Sequence, residues 1–243
     1  MKKSPRTGRR PPLFPREIKI VYEDDALIVI DKPPGLTAVP GKGLDTFSAL
    51  TVLTDELRRQ KQRALVVHRI DRFTSGLMIF AKTQFSRDSL VRQFLAHTPV
   101  REYLAVVRGR LVNKEGKLVQ YFRKEGLLQT LRPSSDPEAA RAEMTYVVER
   151  PLVGATLVRA TLITGLQNQI RVQFSAIGHP VIGDRKYHPE EAQERRIARV
   201  ALHAAHLGFI HPVTGEKISA DSEMPADFRM LIQALTPPVR RPR

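Results

Sequence analysis

The chain has 243 residues, 42% of them hydrophobic, with 40 Lys and Arg against 25 Asp and Glu for a formal charge of +15. It has no cysteine, which excludes disulfides and cysteine-ligated metal, and no run of about 18 apolar residues, which excludes a membrane-spanning helix. A basic excess of this size, clustered at both ends, points to nucleic acid as partner rather than to a solubility bias alone.

Six basic residues precede Glu17, and the tail "PPVRRPR" adds three more. Both ends are proline-rich and read as flexible arms that seek phosphate, residues 1–16 and 236–243. The N-terminal stretch lacks an apolar signal core, and its prolines argue against a transit helix. With the missing cysteines, this makes the cytoplasm the expected compartment.

"EIKIVYEDDALIVIDKPPGL" reads as two short strands, around 18–21 and 27–30, joined by an acidic turn containing Asp24 and Asp25. Pro33-Pro34-Gly35 suits a type II turn. "DTFSALTVLTDELRRQ" is an expected helix, with Asp45 as cap and Phe47, Leu50, Leu53 and Leu57 as its apolar stripe. Val66 and Val67 end one strand and Leu77 to Ala81 form another. "SRDSLVRQFLAH" is a second helix, with Ser86 as cap and Leu90, Phe94 and Leu95 buried. Strands are expected over "EYLAVVRGRL" and around 118–123, 126–132, 142–149 and 155–164. A helix starts in "QNQIRVQFSAIGHP" and ends near Gly178. "EEAQERRIA" reads as a mobile surface segment, "ALHAAHLGFIHP" as a strand and "PADFRMLIQAL" as a last helix. Helices and strands interleave without βαβ regularity, and no glycine-rich phosphate loop is present. The fold class is therefore α+β around a mostly antiparallel sheet.

The charged break between the strands at 66–67 and 77–81 draws attention, because a simple turn needs Gly, Asn or Pro and not this much charge. His68, Asp71 and Ser75 invite a hydrolase triad, but they share one loop, whereas triad members usually converge from distant elements. His203, His206 and His211 invite a metal. On a strand His203 and His206 face opposite sides, so packed histidines are the better reading. A two-metal nuclease needs several convergent carboxylates, and Asp71 stands almost alone among basic residues. Asp71 is thus either a nucleophile or the partner in a structural ion pair, and these residues alone leave both open.

"HRIDRFTSGLMIFAKT" (68–83) resembles the signature HRLDxxTSGL of the RluA-type pseudouridine synthases. The likeness extends over about residues 17–235, the expected catalytic domain. "VYEDDALIVIDKPPGL" resembles the family's opening block, "REYLAVVRG" its K-x-Y block, "GLQNQIRVQFSAIGHPVIGDRKY" the block GRTHQIRxHxxxxGxPxxGDxxY, and "LHAAHLGFIHPVTGE" its closing block. Five blocks in order are far more specific than one.

The resemblance implies a mixed, largely antiparallel sheet with a central cleft and an isomerase that turns uridine in structured RNA, ribosomal or transfer, into pseudouridine. It implies no cofactor and no metal. By the resemblance Asp71 is the nucleophile, Tyr103 the tyrosine that stacks on uracil and helps remove the C5 proton, and Arg171 the basic partner of Asp71. Arg69 fills the gap left by the flipped base, and Ile170 lines the uracil pocket. His68, Arg72, Thr74, Ser75 and Gly76, in the same signature, are expected among the RNA and uracil contacts. The isomerisation needs no redox or phosphate energy, in keeping with the missing nucleotide loop. Unstacking the target base costs a few kcal/mol, which an inserted Arg69 offsets in part.

Leu166, Gln167 and Asn168 stand where the family has Arg-Thr-His, Gln173 where it has His, and Arg101 where it has Lys. These departures leave the proposed catalytic three intact and bear on substrate choice. An S4 RNA-binding module, common in relatives, is expected to be missing, with the basic arms in its place on a monomer. The alternatives are a non-catalytic RNA-binding or ribosome-assembly protein that keeps the fold, and a hydrolase built on the His68 loop.

Overall fold

In the computed structural model, which describes residues 18–41, 47–126 and 128–238, the chain forms one eleven-stranded mixed sheet with helices packed on it. Strands β1 (Lys19–Glu23) and β2 (Leu27–Lys32) form a hairpin, and helix α1 (Ala49–Arg58) follows. Strands β3 (Leu65–Val66) and β4 (Ser75–Ala81) flank the charged loop, and α2 (Gln84–Leu95) leads to β5 (Val100–Arg108). The long meander β6 (Glu115–Glu125), β7 (Leu128–Arg132), β8 (Ala140–Leu152) and β9 (Ala155–Leu162) runs into α3 (Gln169–Ala176). Strands β10 (Leu202–Ile210) and β11 (Lys217–Asp221) and helix α4 (Ala226–Leu235) complete the fold.

The strand order is β1-β2-β4-β10-β5-β9-β8-β6-β7, with β3 beside β4 and β11 beside β10. The pairings are antiparallel except for a short parallel seam between β4 and β10, where Ser75 faces His203 and Gly76 faces Ala204. The sheet therefore has two flanks that meet at this seam.

Strands β2 and β4 are apolar without alternation because helices and a neighbouring strand cover both faces. Ile28, Ile30, Met78 and Phe80 pack against Leu53 and Leu57 of α1. Leu27, Val29, Leu77 and Ile79 pack against Leu90 of α2 and Phe209 of β10. The second flank buries Val106, Val158 and Leu202 against Phe174 of α3 and Phe228 and Leu231 of α4. Each such fully buried side chain contributes roughly 1.5–3 kcal/mol.

The turn residues act as their chemistry requires. Asp24 accepts the amides of Ala26 and Leu27 through Oδ1, and Gly35 has φ +82°. The α1 cap is Ser48, in a reciprocal capping box with Thr51, while Asp45 lies outside the described residues. Helix α2 begins earlier than expected. Its cap is Thr83, which accepts the Ser86 amide, so Ser86 is inside the helix. Leu95, expected to be buried, is 74% exposed, since the last turn of α2 overhangs the sheet. The expected mobile segment at 190–198 is instead anchored. Its 3₁₀ turn (Pro189–Gln193) carries Glu191, which pairs with Arg108 of β5, and Glu194 pairs with Arg108 and Arg196. The hydrogen bond from Arg196 holds the Glu194 carboxyl down at about 2 against the cost of its burial. This charged segment reads as surface in the sequence because Arg108, the partner of Glu191 and Glu194, is more than eighty residues away.

Candidate active site

Asp71 lies in the loop between β3 and β4, above the seam, where two cavities of about 460 Å³ each meet. The first has apolar walls from Val67, Phe94, Leu162, Ile170 and Leu202, with Tyr103 among them. The second has cationic walls from Arg69, Arg72, Arg171 and Lys186, opposite the backbone of residues 37–41. A planar base suits the first and a phosphodiester chain the second.

Arg171 Nη1 donates to Asp71 Oδ2 at 3.2 Å, joining residues one hundred positions apart. The rest of the Arg171 fork is engaged by Asp184, at 2.8 Å from Nε and 2.6 Å from Nη2. Burial opposes the Arg171 charge, but Asp184 and then Asp71 more than offset this and raise its pKa. Asp184 thus supplies most of the counter-charge and leaves Asp71 a single directed hydrogen bond. Asn168, at the start of α3, takes the left-handed conformation that asparagine tolerates, with φ +58°. Its Oδ1 accepts from Arg171 Nη1 at 2.9 Å, and its Nδ2 donates to the Tyr187 hydroxyl at 3.0 Å.

Two buried cations fix the loop backbone. Lys32, fully buried, donates to the carbonyls of Pro33, Leu36 and Arg72 at 2.9, 2.9 and 3.2 Å. Burial, and next the nearby Arg199, push its pKa down to about 7. Arg199 pairs with Asp227 through Nε and Nη2 and donates to the Phe73 carbonyl through Nη1 at 3.3 Å. Both bind carbonyls just after Asp71, so the loop is held from each flank. Lys32, Arg199 and Asp184 are absent from the sequence expectations. The Gly-Asp pair at 183–184 inside the matched block was the available signal for Asp184, and a lysine ending an apolar strand was that for Lys32.

Most of the expected residues converge. Asp71, Tyr103, Arg171, Ile170, His68, Arg69, Arg72 and Thr74 line one or both cavities. Burial pushes the Tyr103 hydroxyl up to about 12, with Arg101 opposing and Asp71 reinforcing it. Arg69 is exposed, and His68 stacks on Phe94 at 4.4 Å and accepts the Ile79 amide through Nε2. Ser75 and Gly76 are buried in the seam and line neither cavity. Ser75 Oγ bonds His203 Nδ1 at 3.0 Å. A Cβ on Gly76 would sit 2.1 Å from the Ala204 carbonyl oxygen. His68 and Ser75 thus have separate partners and form no triad with Asp71. His203, His206 and His211 are likewise engaged separately, by Ser75 and Ser222, by Asp221, and by Asp24.

Of the departures from the matched blocks, Gln173 is buried and donates to the Leu118 and Ala142 carbonyls, so it binds α3 to the sheet. Leu166 packs beside Phe122 and Val172. Gln167 is exposed at the junction of the two cavities.

Residues 26–176 match the family described as RNA pseudouridylate synthase. The chain is 35% identical over 230 residues to "Ribosomal large subunit pseudouridine synthase D" of Zymomonas mobilis, covering 90% of this chain and 73% of that protein. It is 37% identical over 226 residues to the protein of the same name from Nitrosomonas europaea, covering 90% and 65%. Among solved structures, "Human RNA Pseudouridylate Synthase Domain Containing 4" superposes with a TM-score of 0.72 at 22% identity, covering 88% of this chain and 92% of that one.

Proposed function

Because the chain belongs to the RNA pseudouridylate synthase family, and is therefore an isomerase that converts uridine in structured RNA to pseudouridine, we propose that Asp71 carries the reaction and that its substrate is large-subunit ribosomal RNA. The observation that supports the first part is the position of Asp71, held by Arg171 at 3.2 Å where an apolar, Tyr-walled cavity meets a cationic one. The names of the two bacterial relatives support the second.

The uridine leaves its stack, its base enters the apolar cavity and its flanking phosphates lie along Arg69, Arg72 and Lys186. Asp71, hydrogen-bonded by Arg171, faces the sugar, either bonding C1′ or assisting elimination. In both routes the N1–C1′ bond breaks and a C5–C1′ bond forms. The proton lost from C5 is balanced by one gained at N1. Tyr103 and Ile170 confine the detached ring while it turns.

Asp71→Asn should abolish tritium release from C5-labelled uridine while RNA affinity stays within severalfold of wild type. Appreciable turnover by this variant would remove Asp71 from the chemistry. Total RNA from a strain lacking the protein, incubated with it and mapped for pseudouridine, should gain the modification in large-subunit ribosomal RNA. A gain confined to transfer RNA would overturn the substrate assignment.

A further inference from the structure

Arg101 has no role in the site as described so far, and its surroundings are unusual for a guanidinium. It is 7% exposed and lines the apolar cavity on β5, two residues before Tyr103. Among the described residues no carboxylate lies within ion-pair distance, and its buried Nε has no hydrogen-bond partner. Its Nη2 donates to the carbonyls of Ile163 and Thr164, at 3.3 and 3.4 Å, and the guanidinium lies over the Phe94 ring, 5.7 Å from its centroid. The chain also leaves space for it, since a Cβ on Gly165 would stand 2.5 Å from Nη1. Thr74 Oγ1, on the same cavity, is likewise buried without a partner. A buried cation without a counter-ion is costly unless something else compensates it. Two buried polar groups without partners beside one cavity call for an explanation, a catalytic role among those recognised.

We propose that Arg101 is a catalytic residue: its guanidinium donates to a carbonyl oxygen of the flipped uracil and stabilises the negative charge that the base carries once its bond to ribose breaks. This rests on the reading of the apolar cavity as the uracil site. The bonding pair of N1–C1′ leaves with the base, so the free ring is an anion with its charge shared among N1, O2 and O4. The same anion arises whether Asp71 bonds C1′ or assists elimination. Asp71 is already engaged by Arg171, so Arg101 is the cation left to meet the new charge in a low-dielectric pocket. Its charge also opposes the burial that raises the Tyr103 hydroxyl. When a C5–C1′ bond has formed, the ring is neutral after exchange of its protons, and Arg101 releases it.

The test compares Arg101→Met, Arg101→Gln and Arg101→Lys with wild type under single turnover at saturating RNA. The substrates are one RNA carrying uridine and the same RNA carrying 5-fluorouridine at the target. The readout is conversion of the target nucleoside to its C-glycoside, rearranged nucleosides being separated after digestion. Loss of one pre-organised donor to a developing oxyanion lowers the rate by about a hundredfold or more, and the neutral variants should show this with uridine. Arg101→Lys should recover a substantial part of it. Fluorine stabilises the departing ring anion, so the deficit of the neutral variants should shrink with 5-fluorouridine. The ratio of the two substrates' rates within one preparation does not depend on how much of a variant is folded. An equal deficit for both substrates, or a near-wild-type rate for Arg101→Met, would reduce Arg101 to a tether for residues 163–164. If wild type itself converts neither RNA, the uracil-site reading fails first.

Discussion

Arg171 holds two carboxylates of different exposure, and the deeper one sets the cost of removing it. Asp184 is 1% exposed, so Arg171→Ala leaves a buried carboxylate without its ion pair, held by the Lys186 and Tyr187 amides. The variant should lose about 3–5 kcal/mol of stability as well as activity, measured by urea unfolding beside the tritium assay. Wild-type stability in that variant would mean that Asp184 is satisfied elsewhere. His68 gives a pH signature. Burial, with Arg101 nearby, pushes it down to about 3, so the fold keeps a neutral ring that accepts the Ile79 amide. Below about pH 6.5 the unfolded chain takes up a proton that the fold refuses, and stability falls until the pH approaches 3. The slope for this one group is at most about 1.4 kcal/mol per pH unit. Denaturant midpoints at pH 7 and pH 5 should differ more for wild type than for His68→Gln. Equal differences would show that His68 protonates freely in the fold.

At the scale of elements, the strand and helix order and the Asp71 loop were legible because each carries a local pattern. β2 and β4 are unbroken apolar runs, α1 has its stripe, and Gly35 marks its turn. Tyr103 and Arg171 were legible through matched blocks rather than through periodicity. What escaped was whatever depends on a distant partner. Thr83 caps α2 one turn before the serine that the polar run offers, and Arg108 tethers a charged segment that looks like surface. Lys32 and Arg199, each resembling any other cation in a basic chain, are buried under the Asp71 loop. Gly76 was legible as part of the signature, but its place in the seam was not. Its φ of +108° and its closeness to Ala204 belong to the seam. Gly76→Ala should therefore cost about 3 kcal/mol or more by steric conflict and backbone strain. A denaturation midpoint near that of wild type would show that β4 and β10 can part without penalty.

At the scale of the whole molecule, charge decides how the RNA arrives. Residues 1–14 and 239–243 lie outside the described residues, and their sequence carries eight basic side chains and no acidic one. Deleting both segments should flatten the dependence of log affinity on log salt by roughly 0.7 to 0.9 per lost phosphate contact and leave the single-turnover rate at saturating RNA unchanged. Superposable salt plots for full and trimmed chains would show that these segments touch no RNA. The Asp71–Arg171 pair spans the two flanks of the sheet, with Asp71 beside β4 on one and Arg171 on α3 on the other. Between β4 and β10 two residue pairs are in register, and side-chain bonds from His211 to Asp24 and from Ser222 to Asp31 also tie the two flanks together. The chain has no cysteine of its own. Thiols introduced at exposed Glu56 on one flank and exposed Arg150 on the other would accept a donor and an acceptor dye without competing labelling, and would report optically whether the distance between the flanks changes when RNA is added.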